Sequence, residues 1–139
     1  MINVFSRDDM IEYVKTHGVL KDQFYISILS TGGPKGIPIF EDLPNVITEV
    51  FDDVEYDCIK TQYPDGTALR FARALTSKQA DNIAAFINAL PSNYILNIHC
   101  VHGASRSVAI AEAIKNKPCS KDVNKRVYKM VKERLDGIS

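Results

Sequence analysis

The chain has 139 residues, 45% of them hydrophobic and 24% charged, with a formal net charge of zero. That is enough for one domain, 1–139, with a core of its own. No apolar run approaches the ~20 residues that span a bilayer, and the start Met1-Ile2-Asn3-Val4-Phe5 lacks the basic and apolar blocks of a secretion signal. A soluble cytoplasmic protein with no membrane partner is expected. The three cysteines, Cys58, Cys100 and Cys119, are odd in number and widely spaced, which does not read as a disulfide framework. No Cys-x-x-Cys pair suggests zinc, so neither metal nor cofactor is expected. Cys58 and Cys119 read as small buried apolar residues.

In chain order, Ile2 to Phe5 reads as a strand. Ser6 caps a helix with Asp8 and Asp9 in its first turn, an apolar face of Met10, Ile11 and Val14, and an end at Gly18. Phe24 to Leu29 is a strand and Thr31 to Gly36 a loop. Val46 to Phe51 is a third strand, ending in Asp52-Asp53. Residues 54 to 75 hold the turn Tyr63-Pro64-Asp65-Gly66-Thr67 and form either a hairpin or an irregular excursion. Thr76-Ser77-Lys78-Gln79 has capping-box spacing. Ile83, Phe86, Ile87 and Leu90 then give a helical face, stopped by Pro91. Tyr94 to Ile98 is a buried central strand. Val108 to Ile114 is a helix, and a last one runs from about Val123 to Leu135 with Val127, Met130 and Val131 inward. This alternation predicts an α/β fold: a central, mostly parallel sheet of four to five strands flanked by helices.

Charge is uneven along the row. Seven acids and no base lie between Glu41 and Asp57, and eight bases against two acids between Lys115 and Arg134. Both blocks read as solvated surface, and the basic one can also concentrate anions near a site.

Between the buried strand and the next helix lies His99-Cys100-Val101-His102-Gly103-Ala104-Ser105-Arg106-Ser107. A strand end places such a loop at the carboxyl edge of a sheet, where open α/β folds bind ligands. Its amides and the following helix N-terminus converge on an anion. The same field favours a thiolate at Cys100 over the free thiol pKa of about 8.5. Gly103 permits a positive φ where the loop curls. The planar fork of Arg106 suits two phosphate oxygens at once.

This stretch resembles the active-site signature of the protein tyrosine and dual-specificity phosphatase superfamily, and the element order resembles its compact dual-specificity members. The resemblance implies hydrolysis of phosphotyrosine in a phosphoprotein substrate, with phosphoserine and phosphothreonine left open as further substrates. Cys100 would be the nucleophile that carries a phosphocysteine intermediate. Arg106 would hold the phosphoryl oxygens, together with the loop from Val101, His102, Gly103, Ala104 and Ser105. Ser107 would hydrogen-bond the sulfur, and His99 would orient the loop and support a low thiolate pKa. The family's general acid is an aspartate that follows another strand. Asp53, two positions after the apolar Phe51, fits best and Asp52 is next. Tyr63-Pro64-Asp65 resembles the Trp-Pro-Asp loop of larger tyrosine phosphatases, which makes Asp65 a rival.

Two other functions compete. His-Cys-x-His-Gly-x-x-Arg also resembles the RNA 5′-triphosphatases of the capping type, and a nucleic-acid partner is expected only under that reading. The third reading is a phosphate-binding module without turnover.

Overall fold

The computed structural model describes residues 1–61, 65–66 and 68–137. The elements are β1 (Ile2–Ser6), α1 (Arg7–His17), β2 (Phe24–Leu29), β3 (Val46–Val50), β4 (Cys58–Thr61), β5 (Leu69–Ala72), α2 (Ser77–Asn88), β6 (Leu96–Cys100), α3 (Arg106–Ile114) and α4 (Lys125–Leu135). Four strands form one sheet in the order β1-β6-β2-β3, and each neighbouring pair is parallel. The antiparallel pair β4–β5 stands apart as a hairpin. The fold is thus α/β with a four-stranded parallel sheet. Among the described residues no helix is long and apolar enough to cross a membrane.

The strand made last fills the slot between β1 and β2. It is flanked on both edges, and every residue from Leu96 to Cys100 is buried. Side chains alternate across the sheet. Leu96, Ile98 and Cys100 therefore join the core under α2, α3 and α4, with Ile83, Ile110, Val127 and Val131. Each fully buried aliphatic chain there contributes about 1.5–3 kcal/mol. Asn97 and His99 point to the opposite face, where α1 packs. The core on that side is Met10, Val14, Tyr25, Ile37 and Phe40. Asn97 stays satisfied there: its Oδ1 accepts from Asn3 Nδ2 at 3.0 Å and its Nδ2 donates to Gln23 Oε1 at 2.9 Å.

Local sequence accounts for most boundaries. Ser6 Oγ accepts from the Asp9 amide at 3.1 Å at the start of α1. Thr76 and Gln79 form both bonds of the capping box on α2. Several boundaries differ from expectation, three of them at element starts. The central strand starts at Leu96 rather than Tyr94, because its neighbours begin at that level: Leu96 lies opposite both Ile2 and Phe24. Helix α3 starts at Arg106 rather than Val108, since Ala109 N already reaches Ser105 O at 2.8 Å. Helix α4 starts at Lys125, with Asn124 as its cap rather than Val123 as its first residue. Of the two alternatives for residues 54 to 75, the chain adopts the hairpin.

Candidate active site

Cys100 ends β6 opposite Ser6, the last residue of β1. The chain then turns through Val101 to Ser105 and passes straight into α3. Two contacts fix the turn against β1. Arg7 N donates to Val101 O at 3.1 Å. Gly103 has φ of 69°, and a Cβ there would stand 2.6 Å from Ser6 N and 2.7 Å from the Phe5 carbonyl carbon. Only glycine meets both the backbone angle and the space.

Cys100 is buried, and its Sγ lies 3.1 Å from Ser107 Oγ, one helical step inside α3. Burial alone pushes the thiol up. The Ser107 hydroxyl and amide, the Arg106 guanidinium and the Gly103 amide outweigh it and hold the thiol below its ordinary value. That is the balance the loop sequence implied.

His99 is fully buried. Its Nε2 lies 2.6 Å from Ser27 Oγ and its Nδ1 3.4 Å from the Cys100 carbonyl oxygen. A carbonyl only accepts, so Nδ1 carries the proton and Nε2 accepts from Ser27. Burial pulls the imidazole down to about 4, aided by the charges of Arg7 and Arg106 against the bond to Cys100 O. A neutral ring lends the thiolate no positive charge. It steadies the loop instead, through the Cys100 carbonyl.

Arg106 is also buried. Its Nη1 donates to Ser30 Oγ at 2.9 Å and to Phe51 O at 2.6 Å. Its Nε is buried with no hydrogen-bond partner among the described residues. One corner of the guanidinium is thus anchored by protein, which leaves the Nε–Nη2 edge as the fork for an oxyanion.

The adjacent acids part company. Asp52 is 1% exposed. It accepts from Thr31 N at 3.0 Å, Thr31 Oγ1 at 2.5 Å and Arg73 N at 2.8 Å, and it pairs with Arg70 Nη1 at 3.1 Å. Burial raises its carboxyl. The Thr31 hydroxyl, the Arg73 amide and Arg70 more than cancel this and hold it below the usual carboxylate range. Asp52 therefore staples the end of β3 to the loop after β2 and to the hairpin. Asp53 is exposed and turns to the loop after β6, where its Oδ1 accepts from Ser105 Oγ at 2.8 Å, and it also accepts from Asn124 Nδ2 at 3.0 Å. Asp65 is exposed in the turn between β4 and β5, beside Gly66 with φ of 76°. Tyr63, Pro64 and Thr67 of that turn lie outside the described residues. In the loop itself, His102 and Ala104 are exposed and Val101 and Ser105 half-buried.

Sequence reasoning missed Ser27, Ser30, Thr31, Arg70 and Asn124. Ser27 carried a signal, a hydroxyl inside the apolar run Phe24 to Leu29. So did Asn124, a capping residue type just ahead of an amphipathic stretch. Arg70 carried none, since only the hairpin brings it to Asp52. Cys58 packs by Val54, Ala72 and Ala74, and Cys119 against the main core. Among the described residues no three His, Cys, Asp or Glu side chains gather as a metal-ligand set. The chain matches no protein-family model, no curated protein and no solved structure.

Proposed function

We propose that this protein hydrolyses phosphate monoesters through a phosphocysteine intermediate, as a compact phosphatase of the dual-specificity type acting on phosphotyrosyl protein. The observation that carries the reading is geometric: Cys100 Sγ lies 3.1 Å from Ser107 Oγ at the start of α3, beside Arg106, whose buried Nε has no hydrogen-bond partner among the described residues. Nucleophile and oxyanion fork belong to one loop.

In the first step the Cys100 thiolate attacks phosphorus. The S–P bond forms, the P–O bond to the leaving group breaks, and the leaving oxygen takes a proton from Asp53. Arg106 and the loop amides hold the three equatorial oxygens. In the second step water attacks phosphorus, Asp53 takes its proton, and the S–P bond breaks to release phosphate. Ser107 Oγ, 3.1 Å from the sulfur, stabilises the departing thiolate. Asp53 rather than Asp52 takes the acid role because both oxygens of Asp52 are occupied by donors that favour its charged form.

A polynucleotide substrate would need free cations. The basic block spends several of its own inside the protein. Lys125 Nζ donates to the carbonyls of Ser120, Lys121 and Val123, and Arg126 Nε to Leu75 O. Lys132 pairs with Asp136, and Arg134 with Asp81. This use favours phosphoprotein over RNA.

The test is a side-by-side assay of a phosphotyrosine peptide, a phosphoserine peptide and triphosphate-ended RNA. The phosphotyrosine peptide should be turned over fastest, and Cys100→Ser should abolish turnover while retaining phosphate binding. A large preference for the RNA would replace the substrate assignment. Turnover that survives Cys100→Ser would remove the mechanism.

A further inference from the structure

Asn124 is 5% exposed, and every polar atom it has is engaged. Its Oδ1 accepts from Val127 N at 3.1 Å and its main-chain oxygen from Tyr128 N at 3.2 Å, which starts α4. Its Nδ2 donates to Asp53 Oδ1 at 3.0 Å and to Val54 O at 3.2 Å. Its main-chain N donates to Ser105 Oγ at 3.0 Å, and that hydroxyl in turn donates to Asp53 Oδ1 at 2.8 Å. Asn124, Ser105 and Asp53 thus close a ring that joins α4, the phosphate-binding loop and the loop after β3.

We infer that Asn124 is a positioning residue for Asp53, on the reading above that Asp53 is the general acid. A capping asparagine needs only its Oδ1, so the cap alone leaves the two Nδ2 bonds unexplained. An aspartate at an exposed loop position otherwise has several rotamers open to it. Both ring bonds end on Oδ1, which fixes the carboxyl plane and leaves Oδ2 to carry the proton. A proton donor has to sit within hydrogen-bond reach of the leaving oxygen, and the ring ties that reach to the loop that holds phosphorus. Glu55, Lys121, Asp122 and Lys125 line the same cleft beside Asp53 and set its local field.

Serine and aspartate both cap helices, so Asn124→Ser and Asn124→Asp keep α4 while removing the Nδ2 donor. Each is compared with wild type and Asp53→Asn on an aryl and an alkyl phosphate across pH. Both Asn124 variants should lose about tenfold or more in kcat on the alkyl ester, within the range of a displaced acid, and only a few-fold on the aryl ester. Asn124→Asp also sets a second carboxylate against Oδ1. Like-charge repulsion across that pair should make the profile of Asn124→Asp differ from that of Asn124→Ser. If Asp53→Asn flattens the basic limb while both Asn124 variants keep the wild-type profile and leaving-group dependence, Asn124 is a helix cap and nothing more. If Asp53→Asn leaves the profile unchanged, the acid assignment fails and the inference fails with it.

Discussion

Ser27 Oγ lies 2.6 Å from His99 Nε2, on the face of the sheet opposite the Cys100 side chain. The pair sits under the loop rather than in it, and it fixes the imidazole as a neutral ring whose other nitrogen steadies the Cys100 carbonyl. A buried neutral histidine has consequences for stability as well as for the loop.

The first prediction follows from that pair. The native pKa of His99 is about 4 against 6.5 for a free imidazole, so the unfolded chain takes up the proton first. Stability is then full above about pH 6.5 and falls as pH drops towards 4, where the loss levels off at about 3 kcal/mol. Urea unfolding at several pH values should show this slope in wild type and a flatter one in His99→Asn. Parallel slopes in the two proteins would mean that His99 takes up its proton at the same pH in the native and the unfolded chain.

The second concerns the thiol. Ser107→Ala deletes the hydroxyl 3.1 Å from Cys100 Sγ, the largest of the contacts that lower the thiol. The pH midpoint for iodoacetate alkylation of Cys100 should lie below about 8.5 in wild type and rise towards it in Ser107→Ala. Equal midpoints in both proteins would assign the lowering to the loop amides and Arg106.

The third separates the adjacent acids. Asp52→Asn sets an amide NH2 among the donors from Thr31, Arg73 and Arg70 and should cost about 3 kcal/mol of stability. The Asp52 carboxyl is held below the usual range, so its contribution is present above about pH 3.9 and is lost as pH falls through the lower native value. The acid limb of unfolding should therefore be shallower in Asp52→Asn. The leaving-group dependence of catalysis should stay as in wild type. A variant that kept full stability but lost the acid dependence would exchange the roles of Asp52 and Asp53.

The α/β class and the strand-loop-helix around Cys100 were legible because each rests on neighbours in sequence. Apolar runs, the Thr76–Gln79 spacing and a glycine in a tight turn are local signals. What stayed open depended on distant partners. Asp52 and Asp53 look alike in the row, and the division between them comes from Thr31, Arg70 and Arg73 on one side and Ser105 and Asn124 on the other. Tyr94 and Ile95 carry strand-like side chains, but the paired register with β1 and β2 begins at Leu96, and the carbonyls of Tyr94 and Ile95 only receive the bonds at its edge from Met1 N and Phe24 N. His99 and Cys100 are neighbours in the row. Alternation across the sheet sends the two side chains to opposite faces, which no motif spelling reveals.

The place of β6 in the sheet has a consequence during synthesis. Ile2 pairs with Leu96 and Ser6 with Cys100, so β1 leaves the ribosome well before the strand that it pairs with. Until then β1 and β2 have no strand between them, and the chain cannot close its main sheet. Contacts this far apart in sequence make for slow closure and expose apolar edges on the way. Cys100 ends the strand that completes the sheet, so a chain cut short before β6 lacks the loop from Val101 to Ser105 altogether. On the function proposed above, catalytic competence would arrive in the same event as completion of the core.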